Sequence, residues 1–465
     1  PNISGASPFN TITFSGNPNK VDSTILTFAS TNSNARHTLK FDASEYVNVE
    51  YLTIRTTGDL YGWGTHFASN TQYCTLKGCN IEISGTTAPT SSSANFVGIA
   101  LSGSNTSPTS SGNFRDITID SNKIINGYYG ITLYGNTSST DSNLVITNNT
   151  LTNTYYYGIY VYSVEGMQIN SNKLSLRTDN QNSYGMYITS STSYSPFTSF
   201  EINANRIINT GAYGIFISSA NGYAGQRSLL INNMIGGGFS STGARGLYMS
   251  SSSNWDIYHN SINLDASTSS VTSATAFFSG GTNNRMKNNH LAYTATGGQG
   301  LALYATSTIF ASGGVDFNNY YKVGITPTAD LLYLSGYFSP TTYKGGSGFN
   351  QNSFNKIPGF RSNLNLATID GCFNGDSLGV LTDIDGDLRG THGDIGADEV
   401  SDANNDLGIV ALLQPSIPLT PGLKDISVLV KNFGTNTVYK GTVNYVINGG
   451  SPVSLIFNDT IQPCD

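Results

Sequence analysis

The stretch Ile119-Asp120-Ser121-Asn122-Lys123-Ile124 decides the fold. It reads apolar, two others, asparagine, any residue, apolar, and it recurs along the chain. Ile146 to Leu151 carries Asn149, Ile169 to Leu174 carries Asn172, and Ile202 to Ile207 carries Asn205. Asn233 follows between Leu230 and Ile235, Asn260 between Ile257 and Ile262, and Asn289 between Met286 and Leu291. Weaker copies put Cys79 (Leu76 to Ile81) and Asn319 (Asp316 to Tyr321) at the asparagine position. The spacing runs from 23 residues (Asn149 to Asn172) to 33 (Asn172 to Asn205). Alternating apolar residues such as Ile117 and Ile119 make a short strand with one face inward. Asparagine is expected to take the left-handed backbone of a tight corner, its amide bonding the asparagine above or below. Ile124 then restarts an inward face. One such coil cannot bury its apolar face alone, whereas a stack can.

A second element precedes each corner, glycine-apolar-x-apolar. It occurs as Gly98-Ile-Ala-Leu101, Gly130-Ile-Thr-Leu133, Gly158-Ile-Tyr-Val161 and Gly185-Met-Tyr-Ile188. Gly214-Ile-Phe-Ile217, Gly246-Leu-Tyr-Met249 and Gly300-Leu-Ala-Leu303 continue the series. Glycine is expected to open the bend, with the two apolar residues inward. Parity turns the residue between them outward: Thr132, Tyr160, Tyr187, Phe216 and Tyr248, with Phe278 extending the column. The residue before glycine adds Tyr129, Tyr157, Tyr184 and Tyr213. Coils about 4.8 Å apart would stack these rings into a ladder. Aromatic faces suit the apolar C–H faces of sugars; the competing reading is a ladder that stacks on itself or lies under loops. Polar, Gly-rich segments at 86–93, 102–112, 179–183, 190–199 and 220–227 read as loops leaving the stack.

Composition agrees with strands and turns. Charged residues are 11% of the 465, against about 25% in ordinary globular chains. Yet 38% are hydrophobic, with 28 Tyr and 22 Phe, which a disordered chain lacks. A net charge of −7 without a basic stripe argues against nucleic acid as a partner. No apolar run is long enough to span a membrane. No signal peptide is visible, and the abrupt opening at Pro1-Asn2-Ile3 suggests a processed or trimmed N-terminus. Cys74 and Cys79 read as small buried apolar residues, while Cys372 and Cys464 could form a disulfide; the spacings fit no metal site.

Together the two elements resemble the right-handed parallel β-helix repeats of bacterial extracellular proteins and polysaccharide-processing enzymes. The resemblance implies an all-β chain, a right-handed parallel β-helix (solenoid) over residues 1–402, secreted or displayed on a bacterial surface. Thr382-Asp-Ile-Asp-Gly-Asp-Leu-Arg389 and Gly393-Asp-Ile-Gly-Ala-Asp-Glu399 resemble the closing segment of β-helix domains in secreted proteins of Bacteroidetes-type bacteria. That implies a C-terminal cap at 357–400. Residues 427–434 resemble the V-x-V-x-N-x-G strand of CARDB-type immunoglobulin-like modules of bacterial surface proteins. A partial β-sandwich (Ig-like) is therefore expected over 406–465, since about 60 residues fall short of the roughly 100 of a complete one.

Candidate sites follow. Asp383, Asp385 and Asp387 alternate around Gly386 and could offer oxygen ligands to Ca²⁺, the alternative being a capping turn in which Arg389 pairs with these carboxylates. Tyr160, Tyr187, Phe216 and Tyr248 are the candidate glycan-binding strip. A pectin-type hydrolase needs paired Asp with Gly-His-Gly and Arg-x-Lys, and a β-helix lyase needs Ca²⁺ carboxylates beside a basic residue; neither set is found. His259 and His290 flank corner motifs without a carboxylate, and Glu165, Lys173, Arg177 and Asp179 are the residues that could meet on one face. No catalytic residue is assigned. The expectation is a non-catalytic adhesin or glycan-binding rod whose partner is an extracellular polysaccharide or cell surface. The alternative is a polysaccharide lyase or glycoside hydrolase on the same scaffold. The absence of a Thr-x-Thr column argues against ice binding. Ser23, Ser377 and Thr460 lie in Asp-Ser/Thr triplets that resemble the O-glycan acceptor motif of Bacteroidetes-type bacteria.

Overall fold

The structure is a computed structural model that describes residues 3–84, 95–136, 142–195, 198–344, 348–369, 371–400, 404–415, 422–434 and 436–464. The segment at 86–93, expected as a loop, lies outside the described residues. Each full coil gives one strand to each of three sheets. The first sheet has 11 strands, from Ile12–Ser15 to Phe310–Asp316, and the second has 11, from Ile25–Phe28 to Asn319–Lys322. The third has 12, from His37–Phe41 to Tyr337–Phe338, its last pair antiparallel and the rest parallel. Parallel neighbours joined by full coils, with the right-handed crossover that twisted strands favour, make a right-handed parallel β-helix. Among the described residues no helix is long and apolar enough to cross a membrane.

The repeat works as a register device. Ile119 pairs with Ile146 and Leu76, and Ile146 with Ile169, so the apolar residues of successive coils form continuous inward columns. Between the first and second sheets, the Asn122 backbone N–H and Nδ2 both donate to Asn149 Oδ1, at 2.9 and 3.0 Å. The pattern repeats through Asn172, Asn205, Asn233, Asn260 and Asn289, all essentially buried. Cys79 begins the ladder, its N–H donating to Asn122 Oδ1.

Three local expectations need correcting. The ladder continues at Asn318, not Asn319: Asn289 donates to Asn318 Oδ1, while Asn319 pairs with His290 one position on. Val315, Asn318 and Tyr320 are thus the true motif residues, and adjacent asparagines hid the register. The left-handed residue is also not the ladder asparagine but the one before it: Ser121, Asn148, Ser171, Ala204, Asn232, His259, Asn288 and Phe317 all have φ between 52° and 58°. Turning the chain there points the next side chain inward, where a buried amide can bond both neighbouring coils. Finally, the Gly98, Gly130, Gly158 series is required by close approach rather than by a bend. A Cβ on Gly130 would lie 2.5 Å from the Gly158 carbonyl oxygen and 2.5 Å from Leu151.

The segment at 357–400, expected as a cap, lies along the flank of the solenoid. It starts beside Asn319, whose Oδ1 accepts from Lys356 N, and runs back past Asn288, Ser261, Asn232 and Arg206. Leu366, Ile384 and Ala397 pack there with Met234. The closing role belongs to the preceding residues: Ser353 Oγ accepts the Asn318 N–H that no further asparagine can take, and buried Tyr343 stacks edge-on against Tyr320. The flank segment is tied to the C-terminus by a Cys372–Cys464 disulfide. Beyond it, Leu407–Gln414 pairs with Ser427–Asn432, and Gly441–Tyr445 with Val453–Phe457, two small antiparallel sheets that fit a partial β-sandwich.

Candidate functional site

The glycine-apolar-x-apolar strands form the third sheet. Ile159 and Val161 are fully buried and Tyr160 faces out, and the same holds for Tyr187, Phe216 and Tyr248. Register links Thr132, Tyr160, Tyr187, Phe216 and Tyr248 in one column. The next member is Phe277, not Phe278, followed by Tyr304 and Tyr333. Phe278 points inward with 2% exposure. Thr275 takes the glycine position in that coil, which removed the mark that sets the register.

The rings stack almost parallel: 5.2 Å and 6° for Tyr160–Tyr187, 4.8 Å and 7° for Tyr187–Phe216, 4.3 Å and 5° for Phe216–Tyr248. Each ring therefore covers its neighbour's face, and the four side chains are partly buried. The column before glycine behaves differently. Tyr157–Tyr184 and Tyr184–Tyr213 are tilted by 51° and 54° at 5.1 and 4.6 Å, although Tyr129 lies almost parallel on Tyr157, and Tyr157, Tyr184 and Tyr213 each stay partly exposed. Burial first, then neighbouring tyrosines, hold the Tyr157, Tyr160 and Tyr184 phenols above their ordinary pKa, so they remain hydrogen-bond donors. The described residues of the 190–199 loop bond Val164, Glu165 and Asn221 at the turn into the first sheet.

Sequence reasoning missed Arg245, which takes the place of Tyr213 one coil on. Its guanidinium carbon lies 3.8 Å from the centre of the Phe277 ring and 4.3 Å from that of Tyr248. Reading the column before glycine one strand further would have found it.

The carboxylates of the flank segment have separate roles. Asp383 is buried and accepts the N–H groups of Asp385, Asp387 and Glu399. Asp385 pairs with Arg206 at 2.7 Å, and Arg389 pairs with Glu399 at 3.0 Å. Among the described residues no group of three or more His, Cys, Asp or Glu side chains is placed to hold a metal ion. Burial, then the charges of Asp383 and Asp385, raise the Asp398 carboxyl to about 6. Glu165 bonds Thr198, whereas Arg177 pairs with Asp179 beside Tyr155, so these candidates for catalysis are not gathered at one point. His259 and His290 are buried beneath the flank segment, His259 Nδ1 against the Asp394 carbonyl and His290 against Phe373. Ser23, Ser377 and Thr460 are all exposed.

A family model described as "Right handed beta helix region" matches residues 67–262, which overlap the asparagine ladder from its start at Cys79 to Asn260. Among solved structures, the chain is similar to tailspike protein 3 of bacteriophage CBA120, at TM-score 0.33 and 11% identity, over 70% of this chain and 51% of that one. The chain thus spans about half the length of that tailspike, and a likeness of this size carries no argument about function. No curated protein matches the chain.

Proposed function

We propose that the chain is a non-catalytic, secreted or surface-displayed rod that binds an extended polysaccharide on the third sheet. One observation carries this reading: Tyr157, Tyr184 and Tyr213 lie partly exposed in a row with mutually tilted rings, backed by the parallel ladder of Tyr160, Tyr187, Phe216 and Tyr248. Each sugar stacked on a ring contributes about 1 kcal/mol, by analogy with other aromatic contacts. A single contact of that size gives negligible affinity, so a row of rings selects a chain over a monosaccharide.

The test is titration of the protein with a panel of neutral and acidic polysaccharides, with product analysis. At least one should bind, and Tyr184→Ala with Tyr213→Ala should weaken it by about tenfold or more. No new reducing or unsaturated ends should form. Failure of the whole panel to bind overturns the proposal, as does turnover abolished by one substitution at a surface carboxylate, Lys or His. O-glycosylation at Ser23, Ser377 and Thr460 belongs to the same secreted reading, and an intact mass from the native host equal to the bare polypeptide removes it.

A further inference from the structure

The ten third-sheet strands from Phe96–Leu101 to Tyr337–Phe338 hold no Asp or Glu, although the chain has a net charge of −7. They hold one charged residue, Arg245. It enters no ion pair among the described residues. Its Nε donates to the Thr272 carbonyl at 3.0 Å, and its guanidinium rests on Phe277 and Tyr248 with Tyr213 5.8 Å away. Two features follow. The rings and the Nε bond hold the side chain in one orientation, so little freedom is left to lose on binding. Among the described residues the Nη groups meet no acceptor, and a guanidinium's paired N–H groups match the two oxygens of a carboxylate or sulfate.

We infer that this face takes an acidic polysaccharide, with Arg245 holding the carboxylate or sulfate of the sugar next to the one stacked on Tyr213. The inference rests on the proposed polysaccharide reading and adds the class of ligand. Elsewhere an acidic protein repels a polyanion, but this sheet offers no carboxylate to do so.

The experiment uses matched pairs that differ only in charge: methyl-esterified and free polygalacturonate, xylan and glucuronoxylan, dextran and dextran sulfate. The acidic member of at least one pair should bind about tenfold tighter than its neutral partner, as expected for a charge-assisted hydrogen bond. The pair that responds separates carboxylate from sulfate. Arg245→Gln should bring the two members level, and Arg245→Lys should keep part of the preference. Circular dichroism of both variants checks that the solenoid is intact. Equal binding within every pair, or an acid preference unchanged in Arg245→Gln, overturns the inference and leaves polysaccharide binding standing. Failure of every member to bind overturns both.

Discussion

The asparagine corner and the aromatic face are ladders on the same coil repeat, yet they hold their side chains differently. From Asn122 to Asn318 the ladder asparagines are at most 1% exposed, and from Asn149 on each Oδ1 accepts the backbone N–H and an Nδ2–H of the preceding asparagine. On the third sheet the matching column accepts Thr132, tyrosines and Phe216 without a change of register, and most of it is half-exposed. Burial makes the polar ladder obligatory, because a missing partner strands buried N–H groups. No such demand falls on the rings. A fold that accepts Thr132 in the column does not need tyrosine there, and on that ground a contact from outside is proposed for the aromatic run.

Acid should separate the two regions most strongly. His259 and His290 flank the ladder, and burial lowers each imidazole to about 3. The unfolded chain then binds more protons than the native one below about pH 6.5, so stability is full above that pH and falls as pH drops toward 3. At pH 5 the loss is about 2 kcal/mol per histidine. Asp398 opposes it: with a carboxyl raised to about 6, it gains stability as pH falls from 6 toward 4. One partly exposed carboxyl against two buried histidines leaves a net loss. The melting temperature should therefore fall between pH 7 and 5, and hydrogen exchange should rise first in the flank segment and corner. His66, which burial lowers to about 4, makes the first third-sheet strands acid-sensitive as well, so the comparison is with the strands from Phe96–Leu101 onward, where equal exchange would break the contrast.

Asn205→Leu tests the corner directly. It removes the acceptor of Asn172 N and Nδ2, both at 3.0 Å, and the Nδ2 donor to Asn233 Oδ1, while the backbone N–H at 205 still donates there. Two stranded buried N–H groups cost about 3 kcal/mol, read as a lower urea midpoint. A loss no larger than that of an exposed substitution would show that the ladder is not obligatory.

How much of this was legible depends on what marks the register. The Ile119 to Ile124 motif gave the corner, the inward columns and the stacking direction, because its apolar residues and its asparagine are set by burial. The same logic failed by one residue where the mark was duplicated, at Asn318-Asn319, or missing, at Thr275. The path of residues 357–400 was illegible for another reason. Their contacts with Asn288, Ser261 and Asn232 are between segments far apart in sequence, and no local pattern records them. Parity placed Tyr160, Tyr187, Phe216 and Tyr248 in one outward column, but it says nothing of ring tilt. Tilt follows from packing between rings of neighbouring coils, which no local pattern records.

Tyr187→Ala with Phe216→Ala turns that distinction into a measurement. The pair takes part in all three parallel contacts of the ladder, and losing them should cost about 2 kcal/mol while the solenoid stays folded. Polysaccharide affinity should fall less than in the Tyr184 and Tyr213 double variant, since the ladder rings are stacked face to face on one another whereas Tyr184 and Tyr213 are tilted. The reverse order would move the contact to the ladder itself.

The smallest effect is expected at Asp385, and it sharpens the contrast between buried and exposed polar groups within one turn. The Arg206–Asp385 pair is well aligned, but its side chains are 29% and 56% exposed. Such a pair contributes about 0.5 kcal/mol. Asp385→Asn also relieves the like charge on Asp398, which offsets part of that loss. Asp383, two residues earlier, is 4% exposed and accepts three backbone N–H groups. Asp383→Asn replaces an oxygen acceptor by a donor facing those groups and should cost about 2 kcal/mol. Ca²⁺ at this turn would reverse the pattern: chelation would lower the melting temperature, and Asp385→Asn and Asp387→Asn would be as costly as Asp383→Asn. The hydrogen bonds of Asp383 instead predict a melting temperature unchanged by EDTA and a gap of about 1.5 kcal/mol between the Asp383 and Asp385 variants.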